Sequence, residues 1–244
     1  MSRKIVCAIL GFIFMASVCS AQERKDEWKD PSFDLKTIKT VVIVLAVDKQ
    51  LSLDEFSNLR VQELVTTRFT QSNIPGVRFM TYDQFESAAA AYSELDLKQL
   101  RIDDPKKYGD TVQEWLPIVS DGVLTVNLRQ YGYSQVFVPE STYTYTDYEK
   151  STVTEEVRDK RGLLIKTITK EIKVPVEKTC VTPAHYDTKA HAGAEFMLSS
   201  TKQQRKVWMY LDLRDAEGLK VPAEMTDRII IMSIDRYRNL ITKP

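Results

Sequence analysis

The chain has 244 residues, with 34 basic and 34 acidic side chains that leave it formally neutral. Such a balance gives no electrostatic footprint for nucleic acid or an anionic membrane surface. Two histidines, three cysteines and eight glycines leave little material for a metal cluster, a disulfide framework or a backbone phosphate cradle.

Arg3 and Lys4 precede the apolar run "IVCAILGFIFMASV", Ile5 to Val18. The run has signal-peptide length and is short for a bilayer crossing. Small residues Cys19 and Ala21 stand where a signal peptidase reads, so cleavage after Ala21 is expected, with 22–244 as one α/β domain. An uncleaved anchor is one alternative. Lipidation of Cys19, as in bacterial lipoproteins, is another, although Val18 and Ala16 fit that signal poorly. Cys7 and Cys19 leave with the leader unless Cys19 carries lipid. Cys180 is then the remaining thiol, either buried and inert or paired with another molecule. A mature chain of about 220 residues can build a core without disulfides.

"TVVIVLAVD", Thr40 to Asp48, reads as a central strand buried on both faces. Ser52 is the expected N-cap of the next helix, with Leu53, Phe56, Leu64 and Phe69 roughly along one side and "NIPG" as its stop. "VRFMTY" alternates as a second strand, and 84–100 reads as one helix. "IDDPKKYGD" reads as a surface loop, and "TVQEWLPIV" as a short helix that Pro117 interrupts. "DGVLTVNLRQYGYS" is a strand with one apolar face.

The later chain is rich in strands. Residues 141–176 alternate as a long hairpin with "DKRG" as its turn, and its Tyr/Thr half shows no aliphatic face until its end. "AGAEFMLSS" and "VWMYLDLRDAEG" form an antiparallel pair joined by "TKQQRK". Val207, Met209 and Leu211 lie on one side of the second strand, and Trp208, Tyr210 and Asp212 on the other. Pro222 opens a final helix that stacks Ile230, Ile234, Tyr237 and Ile241 on one stripe.

This order, with "TVVIVLAV", "DGVLTVNLRQYGY", the long hairpin, "AEFMLSSTKQQRKVWMY" and a closing amphipathic helix, resembles the bacterial envelope family around the TolB N-terminal domain and CsgG. The resemblance covers most of the mature chain as a pattern of order. It departs where "QQRK" replaces the usual Thr-Gly before Val207-Trp208, and in the length of the hairpin. It implies a mixed β-sheet packed against helices, and non-catalytic work in assembling, scaffolding or regulating an envelope system.

Chemistry is harder to find. His185 and His191 flank Asp187, a start for a metal site but without a third ligand at a fixed spacing. Cys180 with His185 is a nucleophile and base only if the fold brings them together. The acid pairs Asp54-Glu55, Asp103-Asp104 and Glu155-Glu156 suit a helix start, a loop and an exposed hairpin better than glycosidase chemistry. No catalytic residue, cofactor or metal is therefore assigned. Tyr131, Tyr133, Tyr143, Tyr145 and Tyr148 are the candidate partner-binding residues, since tyrosine offers a stiff half-polar contact surface. Cross-strand pairing that orders an exposed sheet would use the same rings. The leading expectation is an exported envelope protein, periplasmic and without enzymatic activity, that works through a protein partner or self-association. No nucleic acid is involved, and a membrane enters only through lipid on Cys19. A periplasmic module for a small ligand or glycan, and a hydrolase with an unrecognised site, stand as rivals.

Overall fold

A computed structural model describes residues 24–51, 53–93, 95–218 and 220–242. The expected leader and cleavage site, Cys19 and Ser52 lie outside the described residues. In chain order the elements are β1 (Arg24–Lys29), β2 (Thr40–Val47), α1 (Glu55–Thr70), β3 (Arg78–Met80), α2 (Tyr82–Ser93), α3 (Leu97–Asp103) and α4 (Pro105–Val119). There follow β4 (Gly122–Val138), β5 (Ser141–Arg158), β6 (Leu164–Thr182), β7 (His185–Ser200), β8 (Arg205–Glu217) and α5 (Pro222–Thr242). The chain divides into two compact units at 134/135 and 187/188.

The first unit holds a six-stranded sheet in the order β1-β8-β7-β4-β2-β3. β2 is parallel to both β3 and β4, while β8 is antiparallel to β1 and β7, so the sheet is mixed and the fold is α/β. Two apolar layers explain why "TVVIVLAV" shows almost no polar alternation. Val41 and Ile43 pack with Val65 and Phe69 of α1 and Ile229 and Ile230 of α5. Val42 faces the other way, onto Phe85 and Ala89 of α2 and Leu97 of α3. A strand covered on both faces needs apolar residues at every position.

Several local expectations change. α1 is capped by Asp54, whose carboxylate accepts the Ser57 N–H at 2.8 Å. Its buried stripe is Val61, Val65 and Phe69 at four-residue spacing, and Phe56 is 72% exposed. The single helix expected over 84–100 is two, because Asp96 accepts the Gln99 N–H and starts α3 afresh. The expected loop around Pro105 is the first turn of α4. Asp104 caps it through the Lys107 N–H, and Pro105 occupies the position where a missing N–H costs nothing. Pro117 lies inside α4 without ending it. The charged stretch Arg24–Lys29 forms edge strand β1, tied to the interior where Trp208 Nε1 donates to Glu27 Oε1 at 3.2 Å.

Two carboxylates organise the first unit. Asp121 accepts the N–H groups of Lys39 and Thr40 at 3.0 and 3.1 Å and pairs with Lys202 at 2.9 Å, joining the starts of β2 and β4 to the β7–β8 turn. Burial opposes its charge, but these donors win and hold its carboxyl below the ordinary value. Asp212, fully buried, is satisfied by the Tyr210 hydroxyl at 2.9 Å and by both guanidinium arms of Arg214. A core-facing Asp is tolerated because its oxygens are paired.

The second unit is a two-stranded antiparallel sheet of β5 and β6 in unbroken register from Ser141↔Thr182 to Val157↔Lys166. Strands of 18 and 19 residues make it about 55–60 Å long at ~3.3 Å per residue. Asp159 closes the turn by accepting the Arg161 and Leu163 N–H groups at 2.8 Å, and Gly162 takes φ +81°.

Candidate functional site

The register of the hairpin decides what each face carries. Residues directly opposite share a face, so the odd positions of β5 stand with their β6 partners. Tyr143, Tyr145, Val153 and Val157 therefore share a face with Ile168, Ile172, Val174 and Val176. The aliphatic face that β5 alone does not show comes mostly from β6. The other face carries Thr142, Thr144, Thr146, Lys150, Thr152 and Thr154 of β5, with Tyr148 among them.

The apolar face is punctuated by ion pairs. Lys178 reaches Asp147 at 2.7 Å and Glu149 at 3.1 Å, and Lys170 reaches Glu155 at 2.7 Å. The Lys178 ammonium beside Asp147 holds that carboxyl below its ordinary value. Exposed pairs of this kind add little to stability. They orient the strands more than they stabilise them. A two-stranded sheet has no second layer, and a lone hairpin is marginal in water. Almost every residue of this one is exposed, including Tyr143, Tyr145, Ile172 and Val174.

The five candidate tyrosines fall in different settings. Tyr131 and Tyr133 belong to the first unit, where Tyr131 packs against the main core and Tyr133 is exposed. Burial raises the Tyr131 phenol. Tyr143 and Tyr145 sit ring to ring at 6.0 Å on the apolar face of the hairpin, and Tyr148 is on the reverse. Cys180 lies opposite Tyr143, half-exposed on the hairpin rather than buried in a core. A hydrogen bond to that thiol raises the Tyr143 phenol.

His185 and His191 separate. His185 accompanies Asp187 at 3.4 Å in the second unit. His191 belongs to the first, where its Nδ1 is 2.7 Å from Asp215 Oδ1 and its Nε2 is 2.5 Å from Ser134 Oγ. The pairing of β7 with β8 sets His191 directly opposite Asp215. Ser134, His191 and Asp215 thus form a hydrogen-bonded chain in the order nucleophile, base, orienting acid. No local spacing signals it, because Ser134 lies on β4 and the pairing of His191 with Asp215 depends on the exact β7–β8 register. No group of three metal-ligating side chains occurs among the described residues.

A second polar cluster lies between α2 and α4. The Tyr108 hydroxyl donates to Glu86 Oε1 at 2.5 Å and lies 2.8 Å from the Tyr82 hydroxyl, with Arg101 3.6 Å from the same carboxylate. Burial and the hydrogen bond to Glu86 push the Tyr108 phenol far up. Glu86 is 1% exposed, and helical periodicity conceals it as an ordinary surface acid.

No helix among the described residues is long and apolar enough to cross a membrane. No protein-family model matches the chain, and no curated protein matches it. Among solved structures, the PelC dodecamer of Paraburkholderia phytofirmans is similar at TM-score 0.40 and 9% identity, over 89% of this chain and 98% of that one. Lipoprotein GNA1162 of Neisseria meningitidis is similar at TM-score 0.37 and 8% identity, over 82% and 98%. A PDZ domain protein of Parabacteroides distasonis is similar at TM-score 0.30 and 11% identity, over 93% and 39%. Likeness at these values assigns neither a family nor a function to the chain.

Proposed function

We propose that this is an exported cell-envelope protein that works through protein contacts made by its long hairpin; the resemblance to the TolB N-terminal and CsgG family supports the envelope role, while the hairpin's length is this chain's own feature. One observation carries the reading. The register gathers Tyr143, Tyr145, Val153, Ile172 and Val174 on one face of a two-stranded sheet that has no layer of its own to cover them. Apolar surface held in water is costly, and a partner surface removes that cost. The partner is another copy or another envelope component. Export rests on the basic start, apolar run and small residues through Ala21. Fractionating cells that express the precursor, then sequencing the mature N-terminus and cross-linking, tests both parts. The expected result is an extracytoplasmic chain starting at Gln22, or at a lipidated Cys19, cross-linked through the hairpin. A cytoplasmic chain that yields no cross-linked species would overturn it.

The Ser134–His191–Asp215 chain favours a second reading, hydrolysis of a small ester. Ser134 Oγ adds to the carbonyl carbon and gives its proton to His191 Nε2. His191 passes that proton to the departing alcohol, leaving an acyl-serine. Water then adds to the acyl carbon while His191 takes its proton, and Ser134 leaves with that proton as the acid is released. A fluorophosphonate probe labels an activated serine. Labelling that Ser134→Ala and His191→Ala both abolish supports this reading, and an unlabelled native protein removes it.

A further inference from the structure

β3 ends too early to pair all of β2. Its three residues match Thr40, Val41 and Val42, after which the chain turns away into α2 at Tyr82. β2 continues to Val47, paired through Leu128 with β4 on its other side. Beyond Val42, the edge of β2 that β3 vacates has no strand beside it among the described residues.

Which main-chain groups face that edge follows from strand geometry. The carbonyl of Lys39 accepts from Arg78 on the β3 side, whereas the carbonyl of Thr40 accepts from Asp121 on the β4 side. The two sides alternate along a strand. Leu45 and Val47 therefore turn their N–H and C=O groups to the vacated edge, while Asp48 N–H bonds Leu128 on the opposite side.

A cleft of about 480 Å³ occupies this position, with Leu45 and Val47 in its floor. Asn58 and Gln62 of α1 form one wall, and Tyr82 and Asp83 at the start of α2 form the other. The Tyr82 wall is fixed by the hydrogen bond between its hydroxyl and Tyr108. Asp83 is the one charged side chain lining the cleft among the described residues.

We infer that this slot binds a short extended peptide from a partner protein, which adds as a strand along Ile43–Val47 and sets a basic side chain against Asp83. Open strand groups supply main-chain recognition, and the walls read alternate side chains. The volume suits about four or five residues. The basic residue follows from charge complementarity with Asp83, because the remaining liners are neutral. This site lies in the first unit and is independent of the hairpin.

The probe is a dye-labelled acetyl-Val-Thr-Val-Lys-Val-amide, titrated into the mature chain by fluorescence anisotropy. Two N-methylated versions block alternate amides, and a third replaces Lys by Glu. Saturable binding is expected, weakened about tenfold or more in one N-methyl register and by the Glu version. Asn58→Trp, a change on the exposed side of α1, fills the slot and should abolish binding. Asp83→Lys should reverse the preference between the Lys and Glu peptides. Hydrogen exchange adds a readout that side-chain contact alone does not move: the Leu45 and Val47 amides should slow at least about tenfold with peptide bound. No saturable binding up to about 1 mM overturns the inference. Binding that leaves both amides unprotected, or that Asn58→Trp does not alter in a variant with native melting, overturns it as well.

Discussion

At the scale of single residues, the first unit depends on a few carboxylates that composition does not distinguish from the other acids. Asp121 is one of 34 acidic residues, yet it bonds the starts of β2 and β4 to the β7–β8 turn. Because its folded carboxyl sits below the ordinary value, its stabilising contribution is complete above the unfolded carboxylate range near about 4. It is lost as pH falls through the depressed value. Asp121→Asn should cost about 1–3 kcal/mol at neutral pH in chemical denaturation, with the gap to the native chain closing toward about pH 2. A gap that stays constant over that range would contradict the role given to its charge. Tyr108→Phe should likewise cost about 1–3 kcal/mol, since the hydroxyl is the hydrogen-bond donor to the buried Glu86 Oε1. Calorimetry of the two proteins checks it. Neither residue was marked by spacing: Glu86 falls on a helix where an acid is ordinarily solvated, and its partner is 22 residues away.

At the scale of elements, much of the architecture was legible because burial leaves a periodic trace. The unbroken apolar run of β2, the alternation of β4 and β8, and the stripe Ile230–Ile234–Tyr237–Ile241 in α5 each follow from what covers them. The failures have a common origin in short-range polar chemistry. Asp96 reads as a mid-helix residue and Asp104 as a loop residue, but each caps a helix, and Pro105 begins one. On α1 the expected side fails at Phe56 alone, since Phe69 is buried and Leu53 and Leu64 pack against the core, while Val61 and Val65 complete the inner face. Phe69→Ala should therefore cost about 3–5 kcal/mol, whereas Phe56→Ala should change stability by no more than about 0.5 kcal/mol. Urea denaturation of both variants tests the assignment, and equal losses would refute it. The Ser134–His191–Asp215 chain and the cleft beside β2 were not legible at all, since both arise from the exact register and lengths of strands, which no local spacing reveals.

At the scale of the whole molecule, the chain pairs a first unit with two apolar layers and a second with none. That division explains why 141–157 reads as strand without a core: its apolar face is completed by β6 and stays uncovered. Replacing residues 141–182 by a short Gly/Ser turn should leave the melting of the first unit within about 1 kcal/mol of its value in the full chain, because its core residues lie outside the segment. The most direct test of the proposed function is photo-crosslinking in the producing cell, with a benzophenone side chain placed at Val174 in one variant and at Thr152 in another. These positions stand on opposite faces of the same hairpin and share its exposure to solvent. A discrete cross-linked species from Val174, and none or far less from Thr152, is the predicted result. Equal yields from both faces, or none from Val174, would contradict the claim that the apolar face is where this protein meets its partner.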